Sequence, residues 1–416
     1  MKRYHNHLFI LAAALFAVPG TCVRLAGIEL PPVWMAVVAG TAIFAASFLL
    51  LWACDAAQKD IPQALALAVV ALIAVLPEYA VDMYFTWEAG RQPESQYSQF
   101  AIANMTGANR LLIGVGWSTI VVLFWLKFRR CVSVERDQTT ALFFLSAATV
   151  YAFVIPLKGT LAWYDGVVFL GLYGWYIVVA GRQPCAECEV GGPAELLMQL
   201  PALKRRVATL TLFVVSATAI VANSKPFCEG LIQTGALFKI NQFFLVQWLA
   251  PIASEAPEFI VAIMFAWRGR GGMALGTLVS SKLNQWTLLV GMIPGVFAVA
   301  HGSLDHPIPM GHFQMNEILL TAAQSLLAVV LLAVMRLSLG RAALLFVLFA
   351  GQLVAPPLVE KLPSGTFMGI GAGEMHAAFS VIYLVAAAVF VLSRPAALLN
   401  LARGLSSSMS AVDPRK

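Results

Sequence analysis

Long apolar segments recur along the whole chain, and they constrain the fold more than any other feature of the sequence. Each is close to the ~20 residues that a helix needs to cross a bilayer. The chain lacks the short alternating strands of an outer-membrane barrel, so the segments predict helices. The fold class is therefore all-α, a polytopic membrane protein with about twelve transmembrane helices at 8–24, 32–54, 61–87, 98–126, 139–157, 161–181, 207–224, 241–267, 272–300, 315–335, 339–359 and 373–393.

The composition excludes a soluble protein. Of the 416 residues, 60% are hydrophobic and only 12% are charged, about half the charged fraction of soluble domains. The net charge of +6 is spread over the loops, so we expect membrane lipid around the protein and no nucleic-acid partner. The six cysteines imply no disulfide framework.

The basic residues indicate an orientation. If both termini are cytoplasmic, nineteen of the 27 Lys and Arg residues fall on the inside and six on the outside, as the positive-inside rule requires. Short loops favour a bacterial cell (inner) membrane. The first span also fits a cleaved signal peptide, but no small-x-small site follows it, so we predict an uncleaved helix. The two remaining basic residues, Arg110 and Lys282, fall inside apolar spans.

Two halves of the chain share four landmarks in the same order. Each half has a Cys-acid pair, a Pro-Glu pair, an aromatic end to that span, and a small-polar cluster in the next span. The landmarks are Cys54-Asp55, Pro77-Glu78, Phe85-Thr86-Trp87 and 103–109 in the first half, and Cys228-Glu229, Pro257-Glu258, Phe265-Ala266-Trp267 and 276–282 in the second. With twelve spans the two Pro-Glu helices run in opposite directions, which is typical of secondary transporters.

This repeat predicts the domain organisation. We expect an N-terminal transmembrane helix at 1–31, a first repeat at 32–181, a cytoplasmic linker at 182–206, a second inverted repeat at 207–359, and a C-terminal helix with a cytoplasmic tail at 360–416.

The Pro-Glu pairs carry the clearest chemistry. Glu78 and Glu258 lie in apolar runs, where a carboxylate is costly unless it is paired. Each follows a proline that cannot donate to the carbonyl four residues earlier, at Ile73 or Ala253. Carboxylate and carbonyl oxygens suit hard cations such as Ca²⁺ or Na⁺. The alternative is a pair of kinked helices with protonated, hydrogen-bonded Glu.

Helical spacing adds polar residues to the same faces. Asp82 follows Glu78 by four residues, and Ser254 and Glu255 precede Glu258 by four and three. In the next span, Thr277, Ser281 and Gln285 recur at four-residue steps, where the first half has Asn104, Ala108 and Leu112. The alternative for any one of them is a role in helix packing.

Pro-Glu in one helix and a small-polar cluster in the next, duplicated and inverted, resembles the α-repeats of the calcium/cation antiporter superfamily, which includes the sodium/calcium exchangers. The resemblance covers roughly 61–126 and 241–300. It implies five plus five helices, with the first and last as extra helices. It also implies that Glu78 and Glu258 are the central metal ligands, and we add Ser254, Ser281, Asn104 and Gln285 as secondary ligands.

The chain departs from the family pattern at several ligands. The family's Thr-Ser becomes Ala74-Val75 and Ser254-Glu255, and its Gly-Ser-Asn becomes 107–109 and 280–282. Four acids, Glu78, Asp82, Glu255 and Glu258, accompany two bases, Arg110 and Lys282, as a charge-coupling set. Lys282 either occupies a place where relatives bind Na⁺ or pairs with Glu255 or Glu258.

We therefore expect a secondary active antiporter that moves Ca²⁺ or a related cation in exchange for Na⁺ or H⁺. The ion would bind at the membrane midplane between the two Pro-Glu helices, without a cofactor and without enzymatic turnover. One alternative is a degenerate exchanger fold that binds a cation or partner without transport. Another is an intramembrane enzyme that uses Glu78 and Glu258 as an acid pair.

Two smaller patterns are weaker. Cys185 and Cys188 form one CxxC in the linker, which we interpret as reduced thiols. A histidine-rich outside loop either collects a divalent ion or is an ordinary loop, and its polar residues are His301, Asp305, His306 and His312.

Overall fold

Helices make up nearly all of the computed structural model, which describes residues 2–60, 73, 75–135, 138–182 and 192–397. The α-helices are α1 Lys2–Leu25, α2 Pro32–Ala57, α3 Leu76–Arg91, α4 Tyr97–Leu111, α5 Ser118–Phe128, α6 Gln138–Ala152, α7 Val154–Lys158, α8 Trp163–Ala180, α9 Ala194–Met198, α10 Ala202–Phe238, α11 Gln242–Trp267, α12 Gly271–Asn284, α13 Val290–His301, α14 His312–Leu332, α15 Leu339–Glu360 and α16 Met375–Ser393.

Eleven helical segments in the described part of the chain are long and apolar enough to cross a membrane. They match eleven of the predicted spans, so the polytopic all-α class is confirmed. The remaining predicted span, 61–87, lies partly outside the described residues. Its described portion is α3, in which Pro77 lies in the first turn, where a missing N–H removes no helical hydrogen bond. The prediction that Pro77 leaves the carbonyl of Ile73 without its helical donor involves residues just before α3, most of which lie outside the described residues.

Helix α10 is much longer than its predicted span of 207–224. It has 37 residues and so extends about 55 Å, well beyond a ~30 Å hydrocarbon core. Polar residues between Asn223 and Glu229 end the apolar run in the sequence, but they do not end the helix. Lys225, expected in an outside loop, lies in this helix, and the predicted linker ends inside it and contains α9.

Two π-helical segments interrupt two of the long spans, Tyr97–Phe128 and Gly271–His301. One is Leu112–Trp117, between α4 and α5, and the other is Gln285–Leu289, between α12 and α13. The sequence repeat aligns Leu112 with Gln285, so both segments begin at equivalent positions. Such π-bulges are rare and frequently mark functional sites.

Short antiparallel ribbons join some of the loops. β1 (Val132–Ser133) pairs with β4 (Arg336–Leu337), β2 (Thr160–Leu161) with β3 (Ile308–Pro309), and β5 (Thr366–Phe367) with β6 (Ile370–Gly371). Each strand has two residues, so the ribbons leave the helical class unchanged. A 3₁₀ turn, Ala372–Glu374, precedes α16.

The chain divides into two compact units, and two of the three boundaries between them fall within the Pro-Glu helices α3 and α11. Unit 1 comprises 1–86 and 180–257, and unit 2 comprises 87–179 and 258–416. In unit 1, α1, α2 and α10 pack through a cluster of small and branched residues that includes Ala46 and Ile220. A β-carbon at Gly230 would lie 2.7 Å from the backbone nitrogen of Ala36. The close approach of α10 to α2 therefore requires glycine there.

An ion pair outside the apolar spans fixes the end of α2 to the start of α10 in unit 1. Arg205 donates to both carboxylate oxygens of Asp60, at 2.6 and 2.8 Å, and Arg206 donates at 3.0 Å. These two guanidinium groups lower the pKa of Asp60 below its ordinary value.

Helix α14 is the central helix of unit 2, where it packs against α4, α6 and α16. Its interior is not uniformly apolar. A polar stripe runs along one side, and each of its side chains is buried: Glu317, Thr321, Gln324 and Ser325. Thr321 and Ser325 donate to backbone carbonyls one turn earlier, so these hydroxyls are satisfied within the helix. Glu317 and Gln324 instead contact other helices.

Candidate functional site

The ten residues predicted from the sequence occur in both units. Each is at least partly buried. Unit 1 contains Glu78, Asp82, Ser254 and Glu255, and unit 2 contains Asn104, Arg110, Glu258, Ser281, Lys282 and Gln285.

Glu258 and Ser281, both candidate ligands from the sequence, are in contact in unit 2. Ser281 is buried on α12, and its hydroxyl donates a hydrogen bond to Oε2 of Glu258 on α11. The hydroxyl oxygen keeps lone pairs beside the carboxylate. This pair therefore presents oxygen atoms of both residues together.

Gln285 is the next polar residue on the Ser281 face of the helix. Its side chain is 0% exposed, and within the described part of the chain neither amide atom has a hydrogen-bond partner. An unsatisfied buried amide destabilises a fold by about 1–3 kcal/mol. Because Gln285 also begins the second π-helical segment, it is a strong candidate for a group that binds a ligand.

Lys282 contacts the equivalent position of the first half. Its ammonium donates to Oδ1 of Asn109 at 2.7 Å and lies 4.4 Å from the centroid of the Trp286 ring. The amide nitrogen of Asn109 donates to the carbonyl of Met105, which turns its oxygen toward Lys282. Lys282 is 0% exposed and directly follows the candidate ligand Ser281 in the sequence.

Close packing keeps the first π-helical segment near this cluster. Gly116 lies in that segment, and a β-carbon there would collide with the ring of Phe259 and lie 2.9 Å from Leu278. Phe259 follows Glu258 directly. Glycine at 116 therefore lets the segment pack against the helix that carries the carboxylate.

Arg110 pairs with a carboxylate that the sequence analysis missed. Its guanidinium forms an ion pair with Oε2 of Glu317, and both side chains are buried. Gln324 donates to the carbonyl of Arg110 at 3.2 Å. The prediction that Arg110 offsets the acids of the Pro-Glu helices did not include this partner. The signal was available, since Glu317 falls within the predicted span 315–335.

Asn104 lies on α4, six residues before Arg110, and is buried. The same helix also carries Asn109, the partner of Lys282. Asn104 thus lies on a helix held by two contacts within unit 2, one to α14 and one to α12.

Glu78 and Asp82 are both buried on α3 in unit 1, at 3% and 0% exposure. They are one helical turn apart, as the sequence indicated. Two residues after Asp82, Tyr84 donates to Glu229 of α10. Cys228 lies 4.0 Å from the carbonyl of Val81. The Cys-acid landmark of the second half is therefore in direct contact with the helix that carries Glu78.

Ser254 and Glu255 lie on α11 and are buried in unit 1. The Ser254 hydroxyl donates to the carbonyls of Ala250 and Pro251, at 3.2 and 3.3 Å. Its proton is therefore used within its own helix. Its oxygen can still accept a bond or bind a cation.

The smaller sequence patterns do not form a metal site in the described residues, where no group of three or more His, Cys, Asp or Glu side chains could hold a metal ion. The rings of His301 and His306 lie 4.7 Å apart, and Nδ1 of His301 is 3.3 Å from the carbonyl of Gly90. The suggestion of a divalent site in this loop is wrong. Cys185 and Cys188 lie outside the described residues.

Carboxylates, hydroxyls and amide oxygens dominate the candidate set. Such oxygen ligands favour hard cations like Ca²⁺, Mg²⁺ and Na⁺ over soft metals. Their burial limits access by bulk water, which makes each buried charge costly without a counter-ion.

Comparisons with known proteins agree with this chemistry. The sodium/calcium exchanger protein family matches residues 31–181 and 208–356. A sodium/calcium exchanger, MaX1 of Methanosarcina acetivorans, is 31% identical over 100 residues, which are 23% of this chain and 28% of the relative. An uncharacterized membrane protein of Methanocaldococcus jannaschii is 26% identical over 166 residues, which are 40% of this chain and 49% of the relative. The matches thus span less than half the length of these two relatives.

Solved structures extend the similarity to the whole chain. The crystal structure of the H⁺/Ca²⁺ exchanger CAX superposes with a TM-score of 0.89 at 36% identity, covering 98% of both chains. The sodium-calcium exchanger NCX_Mj superposes with a TM-score of 0.52 at 17% identity, covering 80% of this chain and 99% of that one, which establishes a common fold. With its family match over most of the chain and its helical, oxygen-rich membrane segments, this protein belongs to the sodium/calcium exchanger protein family of polytopic cation antiporters.

Proposed function

We propose that this protein exports or imports Ca²⁺ by exchange for protons across a cell membrane, with both termini cytoplasmic. Glu78 and Glu258 are the principal ligands. Ser254, Ser281, Asn104 and Gln285 are the secondary ligands. The proposal places one ion near the membrane midplane, a part that rests on the inverted repeat in the sequence.

The chemistry of the ligands supports calcium. Glu258 accepts a hydrogen bond from Ser281, and the Gln285 amide one turn further along has no partner among the described residues. Ca²⁺ binds six to eight oxygens in flexible geometry. A mixture of carboxylate, hydroxyl and amide oxygens fits that preference.

The observation that carries the choice of the proton is the position of Lys282. Its buried ammonium contacts Asn109 of the equivalent segment, and Lys282 directly follows the proposed ligand Ser281 in the sequence. An ammonium at this place can stand in for a bound monovalent cation, so the cycle needs fewer Na⁺ ions. Carboxylates can instead exchange Ca²⁺ for protons. The 36% identity with an H⁺/Ca²⁺ exchanger over 98% of both chains points the same way.

The test is ⁴⁵Ca²⁺ uptake into proteoliposomes that hold the purified full chain. A pH gradient without Na⁺ should drive uptake, and a Na⁺ gradient at equal pH should not. Glu78→Gln and Glu258→Gln should each abolish uptake, since each replaces a negatively charged carboxylate ligand of the ion with a neutral amide. Glu360→Gln is the matched control, because Glu360 is exposed at the end of α15.

The outcomes separate the alternatives. Uptake driven only by a Na⁺ gradient would overturn the proposed coupling to protons, but it would not contradict the proposed Ca²⁺ ligands. Full activity of both Gln variants would overturn the ligand assignment. A second function, cation binding without transport, is favoured by Ala108, which stands where the family's Gly-Ser-Asn has its serine. It predicts ⁴⁵Ca²⁺ binding in detergent with no uptake under either gradient.

A further inference from the structure

Glu317 is the centre of a buried polar cluster that the proposed ion cycle does not use. Its side chain is 0% exposed. Oε2 pairs with the Arg110 guanidinium and lies 3.3 Å from the hydroxyl of Thr106. Oε1 lies 2.7 Å from Nδ1 of His376. The two oxygens thus face two different basic groups, one on α4 and one on α16.

His376 connects this carboxylate to the surroundings. It is the second residue of α16, its side chain is 12% exposed, and its ring centroid lies 5.5 Å from that of Phe313. Arg110, by contrast, is fully enclosed. A proton from the membrane face where α14 and α16 begin can therefore reach His376 more directly than it can reach the buried pair.

The charge of the cluster depends on one group. The Arg110 guanidinium and the Glu317 carboxylate together are neutral, so the net charge of the three groups depends on whether the imidazole of His376 carries a proton. When His376 is neutral, Arg110 is the only cation that pairs with the carboxylate of Glu317 among these three groups. When His376 is protonated, an imidazolium and a guanidinium share one carboxylate, and each attraction to it is opposed by repulsion between the two cations.

Other titratable groups surround the cluster on the packed elements. Tyr383 of α16 is buried, and its hydroxyl has no hydrogen-bond partner among the described residues. Further titratable groups lie on the surrounding elements: Tyr151 of α6 and Lys158 of α7, both in contact with Asp165 of α8, His312 at the start of α14, Glu360 at the end of α15, Lys361 directly after it, and Glu374 in the 3₁₀ turn. Glu360, Lys361 and Glu374 are exposed, so water screens them more than it screens Glu317.

We propose that His376 and Glu317 form a second proton-binding site, separate from the cation ligands, that adjusts transport to the pH of one membrane face. Arg110 transmits the change. It anchors α4 to α14, and α4 also carries Asn104 and Asn109. A proton on His376 weakens the hold of Glu317 on Arg110, loosens α4 and slows transport. This inference rests on the proposed function only for its effect on rate.

The experiment compares three chains at the same pH, so that protonation of the cation ligands is common to all. His376→Gln stays neutral and His376→Lys stays positive. At each pH the Lys variant should take up ⁴⁵Ca²⁺ about five-fold more slowly than the Gln variant, the lower end of typical couplings between sites. The wild-type chain should match the Gln variant at pH 8 and the Lys variant at pH 5.5. His312→Gln, on the same face, should behave as the wild type at both pH values.

Hydrogen exchange of the full chain in detergent provides a readout without transport. Amides of residues 97–111 should exchange faster in His376→Lys than in His376→Gln at one pH, and the wild type should change from one rate to the other between pH 8 and 5.5. Equal rates in all three chains, by uptake and by exchange, would overturn the proton site. If no chain takes up Ca²⁺ but the exchange rates differ as stated, the proton site stands and the proposed function fails.

Discussion

Two helix–π–helix segments of unit 2 have the same order of backbone elements but carry different polar side chains. Residues 97–128 form α4, a π-helical segment and α5, and residues 271–301 form α12, a π-helical segment and α13. The π-helical segments begin at Leu112 and Gln285, which the sequence repeat makes equivalent. The repeat has preserved an uncommon backbone feature more faithfully than the side chains on it.

Their polar faces show the difference. The first segment has Asn104 followed at four-residue steps by Ala108 and Leu112, whereas the second has Thr277, Ser281 and Gln285. In the second segment Ser281 reaches Glu258, and Gln285 is buried without a partner among the described residues. A duplicated backbone therefore does not imply a duplicated set of ligands, and the second segment contributes more of them.

The basic residues differ as well. Arg110 forms an ion pair with Glu317, and Lys282 contacts the amide of Asn109 and the ring of Trp286. The first contact joins two opposite charges, while the second holds an ammonium against neutral groups. We infer that Arg110 chiefly stabilises the fold and that Lys282 chiefly shapes the ion site.

Replacing Arg110 with Met should have the largest effect on stability. The change leaves Glu317 buried without its guanidinium, which typically costs about 3–5 kcal/mol. Chemical unfolding in detergent would measure the loss. Arg91→Met is the control, because Arg91 is exposed at the end of α3. A loss no greater than in the control would remove the structural role that we assign to the first segment.

Exchanging Gln285 for Leu makes the second segment resemble the first at the start of its π-helical segment. We expect the Ca²⁺ concentration for half-maximal uptake to rise about 10- to 100-fold, the range for losing groups that support a metal site. Stability should hold or increase, since an unsatisfied buried amide is replaced by an apolar side chain. Unchanged calcium dependence together with lower stability would instead indicate a packing role for Gln285.

Lys282→Met removes the fixed cation while preserving much of its length. Uptake should then respond to a Na⁺ gradient, with a change in Na⁺-to-H⁺ preference of about ten-fold, within the usual range for coupled sites. Uptake assays under each gradient, with Lys361→Met as the exposed control, would measure this preference. A variant that gains no sodium response and loses no transport contradicts the role of Lys282.

Ser281→Ala should give the smallest effect. It removes one hydrogen bond to Glu258, which is worth about 0.5–1.5 kcal/mol, or roughly a 2- to 10-fold weaker apparent Ca²⁺ affinity. Its mirror change, Ala108→Ser, adds the hydroxyl to the first segment and should not restore the loss in a double variant. Restoration would mean that the two segments contribute ligands equally. Half-maximal uptake concentrations of the three variants decide the matter.

Much of this protein could be predicted from its sequence. The spans, the helical class and the family follow from hydropathy and from the repeated Pro-Glu pairs. The shared face of Thr277, Ser281 and Gln285 also followed, because four-residue spacing fixes which side chains share a helix face, but the contact of Ser281 with Glu258 depends on how two helices pack. The length of α10 did not follow, since helices continue through polar residues once packing supports them.

The sequence by itself determined which residues must be buried in a membrane, because apolar runs and their periodicity are local properties of a chain. Only the tertiary structure decided the partners of the charged groups. Arg110 and Glu317 are 207 residues apart, and Lys282 and Asn109 are 173 apart. No local pattern links such residues. They pair because helix packing brings them together, and because a buried charge is stable only beside a group that satisfies it.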